Sequence, residues 1–318
     1  MHPPYDLTSE ILQLLVSVSE KLGQINAKYL DKPSTKLRKE NRIKTIHSSL
    51  GIEGNTLTED QITALLENKR VIGPEKDVLE VKNAINVYNK LRSYDPISEK
   101  SFLEAHGLLM NNLIPDSGKF RNKGVGIVAG DQIAHLAPSA ENVPHLMKDL
   151  FHYIKDSGEL ALIKSCVFHY EMEFIHPFLD GNGRMGRLWQ TLILMKAYPV
   201  FEFIPFETII QKKQSAYYKA LSLSDKAGHS TPFILYMLTV IDEALVEILN
   251  IKNRTMSAED RLTYFLEITQ VSFSRKDYMM VFTEISTATA SRDLKLGVDM
   301  GLFVKVGDKT NTVYDINK

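Results

Sequence analysis

Between residues 176 and 187 the chain reads HPFLDGNGRMGR. This places His176, Asp180, Asn182, Gly181, Gly183, Gly186, Arg184 and Arg187 in one short stretch. Pro177 disfavours the helical conformation at His176, so a preceding helix is expected to end there. Phe178 to Gly183 is then a loop, with Phe178 pointing inward as its anchor, and a new helix opens near Gly183 and Arg184. A helix start offers backbone N–H groups without internal partners and the positive end of the macrodipole. Gly181 and Gly183 let that backbone approach phosphate oxygens closely. Arg184 and Arg187 are three apart and leave the same side of the first turn, which suits two phosphates better than one carboxylate. Asp180 beside phosphates is repulsive unless a cation lies between, which assigns it to Mg²⁺. Asn182 can donate its amide to a phosphate oxygen. His176 has the ordinary imidazole pKa of about 6.5 to serve as general base. The object that needs all of these together is a nucleoside triphosphate with a divalent metal.

Each residue also has a plainer use. Asp180 or Asn182 alone would serve as a helix cap, and the two arginines as a solvated face. What favours the polyphosphate is the coincidence of all these types at close spacing. A metal site competes: His169, Glu173 and His176 fall at i, i+4 and i+7 on one helix face, a pattern open to zinc, although His169 equally suits a satisfied core histidine. A Walker A pattern is absent, and Gly124-x-Gly126-x-x-Ala129 has neither the strand before it nor the helix after it that a dinucleotide fingerprint needs.

The stretch HPFLDGNGRMGR matches in full the H-x-F-x-[DE]-G-N-G-R-x-x-R signature of the Fic proteins, and residues from about 100 to 240 resemble a Fic core. The resemblance implies a mainly α domain that transfers AMP from ATP to a Ser, Thr or Tyr hydroxyl of a target protein. It implies that His176 takes the hydroxyl proton, Asp180 holds Mg²⁺, and Asn182 and the amides of Gly181, Gly183 and Gly186 hold phosphates, with Arg184 and Arg187 on the outer ones. Upstream, Ser49-Leu50-Gly51-Ile52-Glu53-Gly54 matches the family's [ST]-x-x-x-E-[GN] inhibitory motif. By that resemblance Glu53 pairs with Arg187 and leaves it a poor γ-phosphate ligand. A charge-assisted contact worth roughly 1.5–3 kcal/mol is enough for a switch of about ten- to a hundredfold. Within the family such a glutamate also aligns a water to remove AMP, so transfer and removal both stay open. Tyr217 and Tyr218 lie where the family often has aromatics near adenine, though tyrosines on an amphipathic helix also belong in a core.

These residues need a helical frame. Ile11, Leu14, Leu15, Val18, Leu22 and Ile25 share one helical face. DKPSTKLRKE reads as a loop, followed by a helix through NRIKTIHSSLGIEG that stops at Gly51 or Gly54. Thr58 and Gln61 form a capping box. Helices are expected over 76–92, 98–113, 140–157, 160–175, from Leu188 onward, 211–226 and 231–250. FRNKGVGIVAGDQIAHLAP reads as a hairpin turning at Gly130-Asp131. It matches the Fic flap, whose edge could take an extended target segment over residues 120–137. Residues 258–318 resemble a winged helix, with Ser291, Arg292 and Lys295 on a recognition helix from Thr287 to Leu296 and a Gly-Asp-Lys turn in the wing.

The expected architecture is therefore mainly α: an N-terminal helical region (1–95) carrying the inhibitory motif, a Fic core (96–250) with a small β-hairpin flap, and a C-terminal winged-helix domain (258–318) after the linker NIKNRTMS. The 318 residues are 44% hydrophobic and 24% charged with a formal net charge of −1, ordinary for a globular protein. Nothing global points to nucleic acid or membrane. The winged-helix resemblance implies a DNA-binding regulator as an alternative function; against DNA, the basic residues there are balanced by acidic ones, and winged helices also serve as protein-contact modules. The single cysteine, Cys166, rules out an internal disulfide and fits a cytoplasmic location. The start has no signal-peptide pattern. ATP and a target protein are the expected partners, and a homodimer is compatible with the resemblance.

Overall fold

The computed structural model describes residues 2–27, 35–129, 132–250, 257–269, 272–282, 285–307 and 312–316. Contacts divide the chain into two compact units, one of Met1–Asp31 with Lys39–Asn250 and one of Ile251–Lys318 with Lys32–Arg38.

The first unit is built on two successive helices, α7 (Ala161–Ile175) and α8 (Asn182–Ala197), which carry the loop at residues 176–181 between them. Both are buried over most of their surface, α8 almost continuously from Asn182 to Leu194, as a helix at the centre of a bundle must be. Before them come α1 (Ser9–Ala27), α2 (Thr35–Ile52), α3 (Glu59–Leu66), α4 (Glu75–Asn89), α5 (Glu99–Leu109) and α6 (Val143–Asp156). After them come α9 (Glu207–Lys212), α10 (Gln214–Ala227) and α11 (Thr231–Asn250). The expected apolar stripe of α1 is real: Ile11, Leu15, Val18, Leu22 and Ile25 are all buried, and α1 packs along α11. Each such side chain contributes roughly 1.5–3 kcal/mol on burial. The N-terminal helices share one continuous core with the helices around the motif. Its centre is Trp189, packed edge-on to Phe102 at 4.9 Å and donating its indole N–H to the Pro96 carbonyl.

Between α5 and α6 lies the antiparallel pair β1 (Gly126–Ala129) and β2 (Gln132–Leu136), irregular between Ile127 and Val128. The expected turn at Gly130-Asp131 lies outside the described residues. The Thr58–Gln61 capping box forms with both reciprocal bonds.

Two expectations are corrected. Thr35 to Glu40 is not loop but the first turns of α2; Lys36, Leu37, Arg38, Lys39 and Glu40 are good helix formers whose charge obscured the pattern. The expected helix over 211–226 is two helices broken at Lys213, which leaves helical geometry at φ −116°, ψ 34°. Neither Gly nor Pro marks that break, so periodicity reads through it.

The second unit contains α12 (Ala258–Ile268), α13 (Arg275–Val281) and α14 (Thr287–Asp299), then the antiparallel pair β3 (Phe303–Val306) and β4 (Val313–Ile316). An isolated antiparallel bridge pairs Phe273 with Tyr314 of β4. Its own core holds Leu262, Phe265, Phe273, Tyr278, Leu294, Phe303 and Tyr314. The tip of the expected wing turn, Asp308-Lys309, lies outside the described residues.

Candidate active site

α7 ends at His176, whose backbone turns into the left-handed region at φ 50°, ψ 61°. Pro177 makes continued helix unfavourable there, and the turned backbone launches the loop away from the helix axis. Phe178 then buries its ring completely, stacked on His106 at 3.5 Å and on Phe102 at 5.3 Å. Asn182 closes the loop from the other side. Its Oδ1 accepts the Phe178 N–H and its Nδ2 donates to the Phe178 carbonyl, both at 2.9 Å. The expectation that this amide reaches a phosphate is corrected: the side chain is buried and shapes the loop.

Gly181 occupies the cap position of α8 at φ 87°, a conformation with little penalty only for glycine, and a Cβ there would sit 2.8 Å from Met110 Sδ. At Gly183 a Cβ would lie 2.5 Å from Glu53 Oε1 and 3.1 Å from Arg187 Nη1. The bare backbone is therefore what admits both charged groups. Gly186 is different. A Cβ there would meet the His169 ring at 2.6 Å, so this glycine permits the close approach of α7 and α8.

The two arginines have separate surroundings. Arg184 is 5% exposed and donates to Glu80 Oε1 at 3.2 Å and to Asp180 Oδ1 at 3.0 Å. Asp180 also accepts the Gly181 N–H at 2.6 Å, and its side chain is 49% exposed. Arg187 is fully buried. It donates through Nε to Ser49 Oγ at 3.1 Å and through Nη2 to the Ser49 carbonyl at 2.9 Å and to Glu53 Oε1 at 2.7 Å. Burial works most strongly against its charge, but Glu53, Tyr217 and Glu173 together outweigh it and hold the guanidinium above its ordinary range. Arg187 Nη1 is buried without a hydrogen-bond partner among the described residues.

Glu53 stands at the end of α2. Gly54, at φ 90°, returns its N–H to Gly51, and Asn55 returns its N–H to Leu50, the paired bonds of a Schellman turn. α10 holds this turn from outside, Gln214 donating its amide to the Ile52 carbonyl at 2.8 Å.

The tyrosines divide. Tyr217 is buried, its hydroxyl 3.0 Å from His169 Nε2 and 3.3 Å from Glu173 Oε1. Its placement beside adenine is corrected: the ring belongs to the core. Tyr218 is 48% exposed. The zinc alternative does not assemble either. His169 is fully buried between Gln190 Oε1 and Tyr217 and pushed down to about 3 by burial. Among the described residues no three His, Cys, Asp or Glu side chains converge on a metal position.

Two residues that hold the loop gave no local signal. His106 accepts the Gly118 N–H on Nδ1 at 2.9 Å, which leaves Nε2–H to donate to the Asp180 carbonyl at 3.0 Å. Burial pushes its pKa down to about 4, so it stays neutral. Arg121 is 2% exposed and donates to the carbonyls of His176, Ile175, Lys123 and Pro138, while its own N–H bonds to the Pro177 carbonyl. One cation thus caps the end of α7 and ties it to both strand bases of the β1–β2 hairpin.

Residues 96–194 match the model of the Fic/DOC family. The crystal structure of a Fic family protein from Desulfovibrio desulfuricans superposes with a TM-score of 0.77 at 36% identity, covering all of this chain and 98% of that one. The chain belongs to the Fic family. Relatives include the protein adenylyltransferase Fic of Drosophila virilis, 29% identical over 256 residues and 75% of this chain. That of Drosophila grimshawi is 31% identical over 244 residues and 73% of this chain. The Fic chain described here spans about half the length of these curated relatives, 50% and 48%.

Proposed function

We propose that this Fic protein transfers AMP from ATP to a Ser, Thr or Tyr hydroxyl of another protein, and that Glu53 holds it in a low-activity state. The observation that carries the reading is the 2.7 Å ion pair between Glu53 and the fully buried Arg187. It joins the two halves of the family pattern across a sequence separation of 134 residues.

The loop amides from Gly181 to Gly183 and the free end of the α8 dipole receive phosphates. Arg187 binds the outer phosphate once Glu53 leaves it. Asp180 suits a divalent ion that takes most of its ligands from nucleotide and water, as Mg²⁺ does; when bound, that ion neutralises phosphate charge. Tyr218 offers an exposed ring face for adenine. His176 accepts the proton of the target hydroxyl, the hydroxyl oxygen forms its bond to the α-phosphorus, and the bond to the bridging oxygen breaks, so that pyrophosphate leaves with the electron pair. The hairpin edge that is unpaired among the described strands would hold an extended target segment by strand addition.

Incubation with α-labelled ATP, Mg²⁺ and cell lysate tests this. Glu53→Gly is expected to raise label incorporation by about ten- to a hundredfold over the unmodified chain, and His176→Ala in the same background to abolish it. Equal labelling with and without Glu53 would refute the inhibitory role. Labelling untouched by His176→Ala would refute the mechanism.

A further inference from the structure

The family model begins at residue 96, yet α4, which precedes it, supplies a side chain to the site. Glu80 is 6% exposed on the buried face of α4. Its two carboxylate oxygens have different partners. Oε1 accepts from Arg184 Nη1 at 3.2 Å, with the exposed Lys76 ammonium farther off at 3.9 Å. Oε2 accepts from Asn55 Nδ2 at 2.8 Å. Asn55 is the residue that closes the Schellman turn behind Glu53, its N–H returning to Leu50. The same Asn55 amide also reaches the Asp77 carbonyl at 3.1 Å, and its Oδ1 accepts the Leu57 N–H at 3.1 Å. Arg184 in turn holds Asp180 Oδ1 at 3.0 Å. An unbroken series of polar contacts therefore runs from the inhibitory turn through Asn55, Glu80 and Arg184 to Asp180.

We propose that Glu80 is a positioning residue: it draws the Arg184 charge away from the Asp180 carboxylate, keeping Asp180 available to a divalent cation, and through Asn55 it couples that setting to the inhibitory turn. The inference rests on the nucleotide reading above in one respect, that Asp180 faces a metal-bearing phosphate. Its physical basis is charge partition. A buried guanidinium shared by two carboxylates gives each less than its whole attraction. With Glu80 neutralised, Arg184 has Asp180 as its remaining carboxylate partner in the site, and a carboxylate already satisfied by a cation is a weaker ligand for a second one. Arg184 makes this sharp because its guanidinium is buried and screened little by solvent. The Asn55 bond adds the coupling: releasing it frees the turn that presents Glu53 to Arg187.

The test uses the full chain. In the Glu53→Gly background, binding of the non-transferable α,β-methylene analogue of ATP is measured by calorimetry across a Mg²⁺ series, with the melting temperature of each variant alongside. Glu80→Gln is expected to raise the half-saturating Mg²⁺ concentration about three- to tenfold, with affinity at saturating Mg²⁺ kept within about twofold. Glu80→Asp, which keeps the charge, is expected to return the half-point to within about twofold of the parent. With Glu53 in place, Asn55→Ala is expected to raise label transfer at least about threefold; this arm does not depend on a Glu80 variant folding. A parent-like half-point in Glu80→Gln overturns the proposal. So do equal losses in the Gln and Asp variants that follow the melting temperature, or an Asn55→Ala chain as inactive as the unmodified one. No analogue binding by the Glu53→Gly parent at any Mg²⁺ concentration would sink the nucleotide reading itself, and this proposal with it.

Discussion

Glu207, the first residue of α9, buries its carboxyl completely, with neither oxygen hydrogen-bonded to another of the described residues. Burial pushes its pKa up from 4.5 to about 8, against the pull of its own backbone N–H and of the Arg187 charge. The sign of the consequence follows from proton linkage. The folded chain keeps this proton where the unfolded chain has lost it, so the contribution to stability is whole below pH 4.5 and falls as pH rises to about 8. Glu207→Gln removes that dependence while keeping the shape. Its melting temperature is expected to exceed that of the unmodified chain by a margin that widens from pH 5 to pH 8.5, at about 2–4 °C per kcal/mol for a unit of this size. A margin constant with pH would show that the carboxyl is ionised in the folded state. Such a residue is invisible in the sequence, where Glu207 reads as an ordinary acid in the first turn of a helix. The same holds for the supports of the site. The motif is legible because its residues are sequence neighbours and their geometry is fixed by one turn. Arg184 meets Glu80 across 104 positions, His106 meets Asp180 across 74 and Arg121 meets His176 across 55. No local pattern encodes those meetings. Tyr217 and Tyr218 show the converse limit: adjacent positions on one helix necessarily face apart, and only tertiary packing decides which is core.

At the scale of elements, the loop works because three of them agree on where it sits. α7 ends where Pro177 makes it end, α8 is capped at Gly181, and Arg121 locks the hairpin to the junction. Helix periodicity located most of these elements, since amphipathic faces such as that of α1 are repeated in sequence. It failed at Lys213, where no breaker marks the boundary, and at the start of α2, where no apolar stripe does. The Arg121 clamp makes a definite claim about division of labour. Its guanidinium satisfies carbonyls of Ile175 and His176 on one side and of Lys123 and Pro138 on the other. Lysine keeps the charge but has no planar fork to span them. In the Glu53→Gly background, Arg121→Lys is therefore expected to lower AMP transfer to protein by tenfold or more, taking a positional loss of about 1.4 kcal/mol or greater. Nucleotide binding by calorimetry should change less than about threefold, because the phosphate loop is also held by Phe178 and Asn182. Losing nucleotide affinity in step with transfer would mean that Arg121 supports the phosphate loop and not the alignment of catalytic base and flap.

The molecule as a whole carries two hydrophobic cores, a large one around α7 and α8 and a small one beneath α12 to α14. The small core has few aromatic and aliphatic side chains, and it surrounds a polar knot. Arg261 grips Asp293 with two parallel bonds, Nε to Oδ2 at 2.6 Å and Nη2 to Oδ1 at 2.9 Å, while the Tyr278 hydroxyl donates to Asp293 Oδ2 at 3.1 Å. Asp293 is 2% exposed. Breaking a buried pair from one side is far worse than never having it, because a guanidinium and a hydroxyl stay behind without their acceptor; the loss is typically about 3–5 kcal/mol. That is a large share of what so small a unit commands. Asp293→Ala is accordingly expected to erase the lower transition in a calorimetric scan, or to move it below about 37 °C. The transition of the first unit should stay in place, and in the Glu53→Gly background label transfer should persist, since every residue assigned to phosphate, base and inhibitor lies before Asn250. Collapse of both transitions together would mean that the second unit is required for the first to stay folded, and the two cores would then have to be treated as one cooperative system.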